Sequence, residues 1–397
     1  MKTGWQFKTL GEVCEVVNGG TPKTGVKEYW GNEHLWITPA EMGKRSNPYI
    51  AETERMITSQ GLKNSSARLL PPNSVILSSR APIGHLVINT KPMATNQGCK
   101  GLVPNENLAY KYLFYFLQAN VDVLNDLGSG ATFKELSGGK LKEVKIPLAP
   151  LQEQQRIVAI LDQAFEGIAK ARANAEQNLQ NARALFESHL QSVFADAVRN
   201  NDVVALSDLA TDITDGDHMP PPKAENGVPF ITIGNIVKSK RIIDFTDTFK
   251  VPYEYFNKLK DNKKPKVGDV LYTVTGSFGI PVLVKDNQDF CFQRHIGLIR
   301  PKSDVNSEWL CYLFSSPQLL KQANDGATGT AQKTVSLKVL RNFQVPRLSL
   351  DEQNEMVVEL DALSKKTQHL EAIYQRKIEL LDELKKSLLQ QAFAGEL

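Results

Sequence analysis

From Leu360 onward, apolar side chains return on a heptad: Leu360, Thr367, Tyr374, Leu381 and Leu388 at one position, and Leu363, Leu370, Lys377 and Leu384 at the other. Ile373 and Leu380 widen the stripe. This period predicts a coiled-coil helix. A leaner stripe runs through Leu161, Ile168, Ala175 and Ala182, flanked by Phe165, Leu179 and Phe186. Neither stretch carries Pro after its opening turn, although Gly167 weakens the first by about 1 kcal/mol relative to Ala. The small Ala residues let two helices approach closely. The two stripes are expected to pack on each other antiparallel within one chain, since each helix begins where its own globular segment ends. A coiled coil that only dimerises the protein is the alternative. Elsewhere the apolar runs are short and bounded by Gly, Pro, Asn and Asp, as in 74–78, 84–88, 270–274 and 280–284, which predicts strands. Helical pieces are expected near 110–124 and 309–322.

These patterns occur twice. Ile146-Pro147-Leu148-Ala149-Pro150-Leu151-Gln152-Glu153-Gln154-Gln155 returns as Val345-Pro346-Arg347-Leu348-Ser349-Leu350-Asp351-Glu352-Gln353-Asn354, 199 residues on in a chain of 397. The helix ends also match, Leu190 to Ala195 against Leu389 to Ala394. Upstream, Leu10-Gly11-Glu12-Val13 aligns with Leu206-Ser207-Asp208-Leu209, and Gln97 with Gly101-Leu102-Val103 aligns with Gln293 with Gly297-Leu298-Ile299. The drift in offset, 194 to 199, is what loop insertions in two diverged copies produce. The period is far too long for a solenoid. The fold class is therefore α+β: two similar mixed α/β domains, each followed by a long helix, related by a pseudo-two-fold internal repeat.

Composition narrows the function. The length suits two to three domains, and the apolar and charged fractions are those of an ordinary globular protein. No apolar run approaches the ~18 residues of a membrane span, and the N-terminus lacks the apolar core of a signal peptide, so a cytoplasmic protein is expected. Cys14, Cys99, Cys291 and Cys311 are scattered, without CxxC pairs, and the six His show no ligand spacing. No metal site is expected. The net charge of +3 divides into +5 over residues 1–150, −1 over 151–195, +2 over 196–345 and −3 over 346–397. The globular parts are basic and the helices acidic. Local clusters are sharper: Lys238, Lys240 and Arg241, then Lys258, Lys260, Lys263, Lys264 and Lys266. Basic surface is the footprint of nucleic-acid binding.

P-loop, GxGxxG, HExxH and GxSxG patterns are missing, as is the methyltransferase box of Asn or Asp, two Pro and an aromatic. No carboxylate cluster recurs in both copies. The chain reads as a binder, with an enzyme of unrecognised site and a protein-binding scaffold as competing readings. A Gly/Thr loop recurs at matched positions, Gly128 to Lys134 and Gly326 to Lys333. Backbone N–H groups, hydroxyls and a Lys together suit phosphate oxygens. Side chains able to read bases or backbone are Thr21, Arg80, Asn96, Gln97, Thr132 and Lys134 in the first copy. In the second they are His218, Thr275, Ser277, Gln293, Arg294, Thr330 and Lys333. Helix packing falls to Leu161, Ile168, Phe186, Leu363, Leu370, Leu381, Leu384 and Leu388. The loops differ between copies, so two unlike half-sites are expected.

The helix-opening segment Ile146 to Ile157, its second copy Val345 to Val357, and the ending Leu388 to Leu397 resemble the DNA-specificity subunits of type I restriction-modification systems. The second copy departs at Arg347, Ser349 and Met356. The resemblance spans the whole chain. It implies target-recognition domains at 1–145 and 199–344 and spacer helices at 146–198 and 345–397. It also implies a non-catalytic subunit that reads the two halves of a split, asymmetric double-stranded DNA target. The helix pair would be a ruler: a 45-residue helix is ~67 Å long, which caps the reader separation near 20 base pairs. Two methylation subunits would dock, and two motor-nuclease subunits could join them. S-adenosylmethionine, ATP and magnesium would belong to those partners, with no cofactor in this chain.

Overall fold

A computed structural model describes residues 4–80, 82–130, 134–219, 221–238, 241–330 and 332–397. The chain divides into two compact units, Met1–Ala175 with Arg376–Leu397, and Glu176–Gln375. Each unit holds one globular domain and a segment of each long helix, Leu151–Asn200 and Leu350–Ala394.

In the first unit an antiparallel ribbon pairs Gln6–Thr9 with Lys145–Leu148. A five-stranded sheet runs in the order Cys14–Asn18, Cys99–Pro104, Val75–Ser79, Ile83–Asn89, Tyr49–Ile50. A second sheet centres on Trp30–Ile37, antiparallel to Arg55–Ile57 and parallel to Met93–Thr95. The second unit repeats this plan. Val203–Ala205 pairs with Gln344–Pro346. Ala210–Asp215, Ile296–Pro301, Val270–Thr273 and Pro281–Leu283 form the main sheet in that order. Val228–Ile231 lies antiparallel to Lys250–Val251 and parallel to Cys291–Phe292. The internal repeat is thus a repeat of topology, down to strand direction, except that the edge strand Tyr49–Ile50 has no counterpart in the second main sheet among the described residues.

The long helices open later than the repeated motif does, because Ile146-Pro147-Leu148 and Val345-Pro346 complete the ribbons first. Ser349 and Glu352 then form a capping box: the Glu352 carboxylate accepts from the Ser349 N–H (2.8 Å) and hydroxyl (2.7 Å), and the Ser349 hydroxyl accepts from the Glu352 N–H (3.3 Å). These two donations by Ser349 hold the Glu352 carboxyl below the usual range. One turn on, each helix buries a glutamine. The Gln154 amide oxygen accepts from the Ala109 N–H (2.9 Å), and its NH₂ donates to the carbonyls of Asn107 (2.9 Å) and Ala149 (2.8 Å). Gln353 does the same with the Asn306 N–H (2.7 Å) and the carbonyls of Asp304 (3.2 Å) and Leu348 (3.0 Å). A second duplicated bond follows: the hydroxyls of Tyr115 and Tyr312 donate to Asp162 and Asp361, each at 2.5 Å.

Within each unit the two helix segments run antiparallel. In the first, Arg156 donates to the Leu397 carbonyl (2.6 Å) and Arg172 pairs with Asp382. Phe393 packs edge-on against Tyr112 and Phe116. In the second, Arg183 pairs with Glu371 (3.0 Å) and His189 with Glu359 (2.8 Å). As numbers rise on one helix, their partners fall on the other. The leaner stripe holds: Leu161, Ile168, Ala175 and Ala182 are buried, and Phe186 packs partly buried in the second core. On the second helix only one of the two expected heptad positions holds. Leu360 and Thr367 are buried and Leu381 and Leu388 half-buried, but the companion position is Val357, Ser364, Glu371, Ile378 and Lys385. Leu363 is half-buried and Leu370 and Leu384 are exposed, a correction to the expected packing. The sequence carries two overlapping apolar stripes; the Ala-rich partner is slender and covers one. Val358, Ile373 and Leu380 are left exposed as well.

Gly167 is exposed, and a methyl group added there would meet nothing within 4 Å. Gly167→Ala should stabilise the first unit by about 0.5–1 kcal/mol, seen as a rise in its unfolding midpoint. Gln353→Leu should cost more than about 2 kcal/mol, because it strips partners from one buried N–H and two carbonyls; denaturant titration measures it. Glu352→Gln should lower stability at neutral pH. The Glu352 carboxyl is depressed in the folded state, so its contribution is present above pH ~4.5 and lost as pH falls. The deficit of the variant should shrink accordingly in titrations at pH 7 and pH 4.

Candidate nucleic-acid interface

Both globular domains gather the same loops at the end of the main sheet. In the first, the turn after Cys14–Asn18 lies directly on the turn before Cys99–Pro104. The Gly19 N–H donates to the Cys99 carbonyl (3.2 Å) and the Gly20 N–H to the Thr95 carbonyl (2.8 Å). The fit is too close for any side chain: a Cβ on Gly19 would sit 1.8 Å from the Asn96 carbonyl oxygen. In the second domain the Asp217 N–H donates to the Phe292 carbonyl (3.1 Å), and a Cβ on Gly216 would lie 1.9 Å from that same oxygen. Each turn is anchored from behind by a different side chain. Trp36 donates its indole N–H to the Gly20 carbonyl (2.9 Å), and Arg55 stacks at 3.8 Å over the neighbouring Trp30. Lys263 donates to the Gly216 carbonyl (3.2 Å), and Tyr255 to the Asp217 carboxylate (2.5 Å).

The Gly/Thr loop is also built twice. Ser129 and Glu135 exchange two backbone hydrogen bonds (3.1 and 2.9 Å), as do Thr328 and Thr334 (3.0 and 2.8 Å). Gly130 and Gly329 take positive φ at matched positions, 133° and 114°, which other residues rarely adopt. The Leu136 N–H donates to the Ser79 carbonyl (2.9 Å) and the Val335 N–H to the Val274 carbonyl (2.8 Å), tying each loop to its sheet. Lys134 and Lys333 stand exposed at matched places.

These backbone bonds fix the register of the repeat. Asn96 donates to the Ile37 carbonyl and Gln293 to the Ile231 carbonyl, so Asn96 matches Gln293, and Gln97 matches Arg294. The expected pairing of Gln97 with Gln293 is one residue out, and that of Gly101 with Gly297 is out by the same residue, since the sheets match Lys100 to Gly297 with no change of loop length between. Thr21 likewise matches His218, Arg80 matches Thr275, and Glu135 matches Thr334. Thr21 donates to the Gln97 amide oxygen, bringing two expected readers into contact. Arg80 pairs with Glu135 at 3.3 Å. Lys134 and Thr330 are exposed beside these turns, as are Arg294, His218 and Ser277. The His218 ring lies 2.9 Å from Asp215. Two expected readers are engaged otherwise. The Asn96 amide oxygen accepts from the Gly98 N–H (3.0 Å), capping its own turn. Thr275 is buried, its hydroxyl bonded to Thr334 (3.3 Å). Thr132 lies outside the described residues.

The basic run 258–266 divides similarly. Lys263 serves Gly216, Lys264 donates to the Asn257 carbonyl and covers the Phe256 ring, and Lys266 pairs with Asp261. Lys258 and Lys260 are exposed. Beneath the first-domain cluster, Lys100 is buried with its ammonium 3.9 Å from Glu135. Burial lowers its pKa, opposed by Glu135 and abetted by Arg80. Burial also pushes the Cys14, Cys99 and Cys291 thiols up to about 12, so all three behave as core hydrophobes. A cleft of about 940 Å³ in the second unit lies away from these loops, lined by Lys238, Arg241, Phe245, Tyr312 and Asp361 with charges of both signs. Among the described residues no His, Cys, Asp and Glu group could hold a metal, and no helix is long and apolar enough to cross a membrane.

Two segments, residues 2–177 and 197–380, match the family model described as the type I restriction modification DNA specificity domain. The chain is 40% identical over 159 residues to the MjaIX specificity subunit of Methanocaldococcus jannaschii, covering 40% of this chain and 37% of that relative, so well under half of the relative's length is matched. Over 99% of this chain and 93% of the other it is 23% identical to the MjaVIII specificity subunit of the same organism. Among solved structures, a chain from a study of complex assembly and conformational transition of the type I R-M system aligns with a TM-score of 0.81 at 20% identity, covering 100% of this chain and 99% of that one. The HsdS subunit of Thermoanaerobacter tengcongensis aligns with a TM-score of 0.64 at 19% identity, covering 100% and 98%. These two likenesses concern the fold.

Gly19→Ala should force the two turns apart and cost about 1–3 kcal/mol. Hydrogen exchange would read it as faster exchange of the amides of residues 19 and 20, which donate across the two turns, with the sheet amides of 75–79 less affected.

Proposed function

We propose that this chain, which belongs to the type I restriction modification DNA specificity family, reads two different short DNA sequences, one with each loop cluster. The observation that carries this reading is the contrast between scaffold and side chains. Most of the backbone hydrogen bonds that shape one cluster recur in the other. Thr21, Arg80, Gln97 and Glu135 nevertheless give way to His218, Thr275, Arg294 and Thr334. Lys134 and Lys333 stay the same, as sequence-independent phosphate contacts would. A conserved frame with exchanged donors and acceptors is what two unlike half-sites require.

The target is then split and asymmetric, with a gap set by the long helices. Methylation subunits dock on the helices, where Leu370 and Ile373 in the second unit and Leu380 and Leu384 in the first stand exposed. Two such subunits bind, and two motor-nuclease subunits join them in a restriction complex. The chain itself catalyses nothing in the cytoplasm where it works. S-adenosylmethionine, ATP and magnesium are held by its partners.

Lys134→Ala with Lys333→Ala should weaken binding to every duplex several-fold and reduce the slope of log affinity against log salt by roughly two, one per phosphate contact. Fluorescence anisotropy across a salt series measures both. Selection from random duplexes should return two unlike half-sites at a constant gap. Mapping adenine methylation after co-expression with a methylation subunit should return the same motif. A perfect palindrome, or no motif at all, would reject the reading.

A further inference from the structure

The two loop clusters differ most sharply at one spot, and there they differ as a set. In the first domain Arg80, Lys100 and Glu135 lie together: Arg80 Nη1 is 3.3 Å from Glu135 Oε2, and Lys100 Nζ is 3.9 Å from Glu135 Oε1. In the register fixed by the sheets, their counterparts are Thr275, Gly297 and Thr334. All three charges are absent from the second copy. The loop still closes there, through the same pair of backbone hydrogen bonds. Closing the loop therefore requires none of the three charges, and the carboxylate has another task.

A carboxylate on a DNA-facing loop is repelled by phosphate, so its presence requires compensation. Lys100 supplies it from below, its side chain 7% exposed, while Arg80 and Glu135 reach the surface at 36% and 42%. The accessible pair presents a donor-only guanidinium beside an acceptor-only carboxylate, within hydrogen-bond distance of each other. In the major groove one base pair shows the complementary arrangement. Guanine offers O6 and N7 as acceptors; cytosine offers its N4 amino donor, hydrogen-bonded to that same O6. Arg80 has one contact to Glu135, which leaves other guanidinium N–H groups for guanine and the remaining carboxylate lone pairs for cytosine N4.

We propose that Arg80 and Glu135 together read one G·C base pair in the half-site of the first domain, Arg80 on guanine and Glu135 on cytosine, with Lys100 as the buried countercharge that positions the carboxylate. Thr275 and Thr334 cannot make this contact, so the second half-site lacks a base pair read in this way. The inference rests on the reading of the loop clusters as a DNA interface.

The test is selection from random duplexes by the full chain, comparing wild type with Glu135→Thr and Arg80→Thr, each the residue the second copy uses at that place. The wild type should show a G·C pair fixed in the first half-site. Each variant should lose preference at that same base pair, by roughly tenfold or more, with every other position of the motif retained. Retention of the rest of the motif also shows that the variant is folded and its loop closed. Two results would overturn the inference: an unchanged motif in either variant, or relaxation at two different positions. Arg80→Thr weakening all duplexes equally, with a smaller salt slope and an intact motif, would make Arg80 a phosphate contact and would also overturn it. A wild type that binds without any motif would instead reject the DNA-reading function itself, an outcome distinct from the others.

Discussion

The buried glutamine in the first turn of each long helix is the contact on which the rest of each unit depends. A solvent-exposed helix of this length has no intrinsic reason to leave its domain in one direction. Gln154 and Gln353 remove that freedom by joining three backbone groups: an N–H and a carbonyl of the domain loop, and a carbonyl of the helix entry. Both carboxamides are buried, so a misdirected helix would leave polar groups without partners in the core. The tyrosine–aspartate bond two turns further on repeats the constraint from the side. With its direction fixed at the root, each helix segment presents its narrow stripe to the antiparallel segment of the same unit.

The loop clusters follow a different logic. Their shape comes from backbone hydrogen bonds and from glycines whose neighbours come within 2 Å of where a Cβ would stand. These backbone bonds do not run through the side chains of Thr21, Gln97 or Arg80. The frame can stay constant while its side chains change, a separation suited to recognition carried on loops over a rigid sheet. The anchors behind the turns illustrate it: an indole in one domain holds the Gly20 carbonyl, and a lysine in the other holds that of Gly216, one residue earlier in the matched turn. Side chains that support the frame, such as Asn96 and Thr275, look the same in sequence as side chains that face outward.

Much was legible in the sequence because it is local or periodic. The duplicated helix entry, the Ala-rich stripe and the Gly/Thr loops all show themselves by spacing, and Gly19 and Gly216 of the close turns stand two residues before the candidate readers Thr21 and His218. Glu135 adjoins the candidate reader Lys134, yet an acidic residue carries no signal for DNA. The partner of Tyr115 was within reach, since Tyr312 and Asp361 repeat it at nearly the same offset as the helix entry. The register of Gln97 was not within reach, because two similar residues in a row, Asn96 and Gln97, allow either alignment.

The sequence by itself determined the repeat, the element types, the two long helices and the loops on which recognition would fall, since these follow from hydrophobic period and turn chemistry along the chain. Only the tertiary structure decided which of two apolar stripes on the second helix is covered, because that depends on the girth of the partner segment. It alone decided which polar loop residues are consumed in holding the turns, because hydrogen bonds between segments tens of residues apart leave no trace in local pattern. It alone brought Arg80, Lys100 and Glu135 to one place, since two strands and a loop distant in sequence must pair before those charges meet.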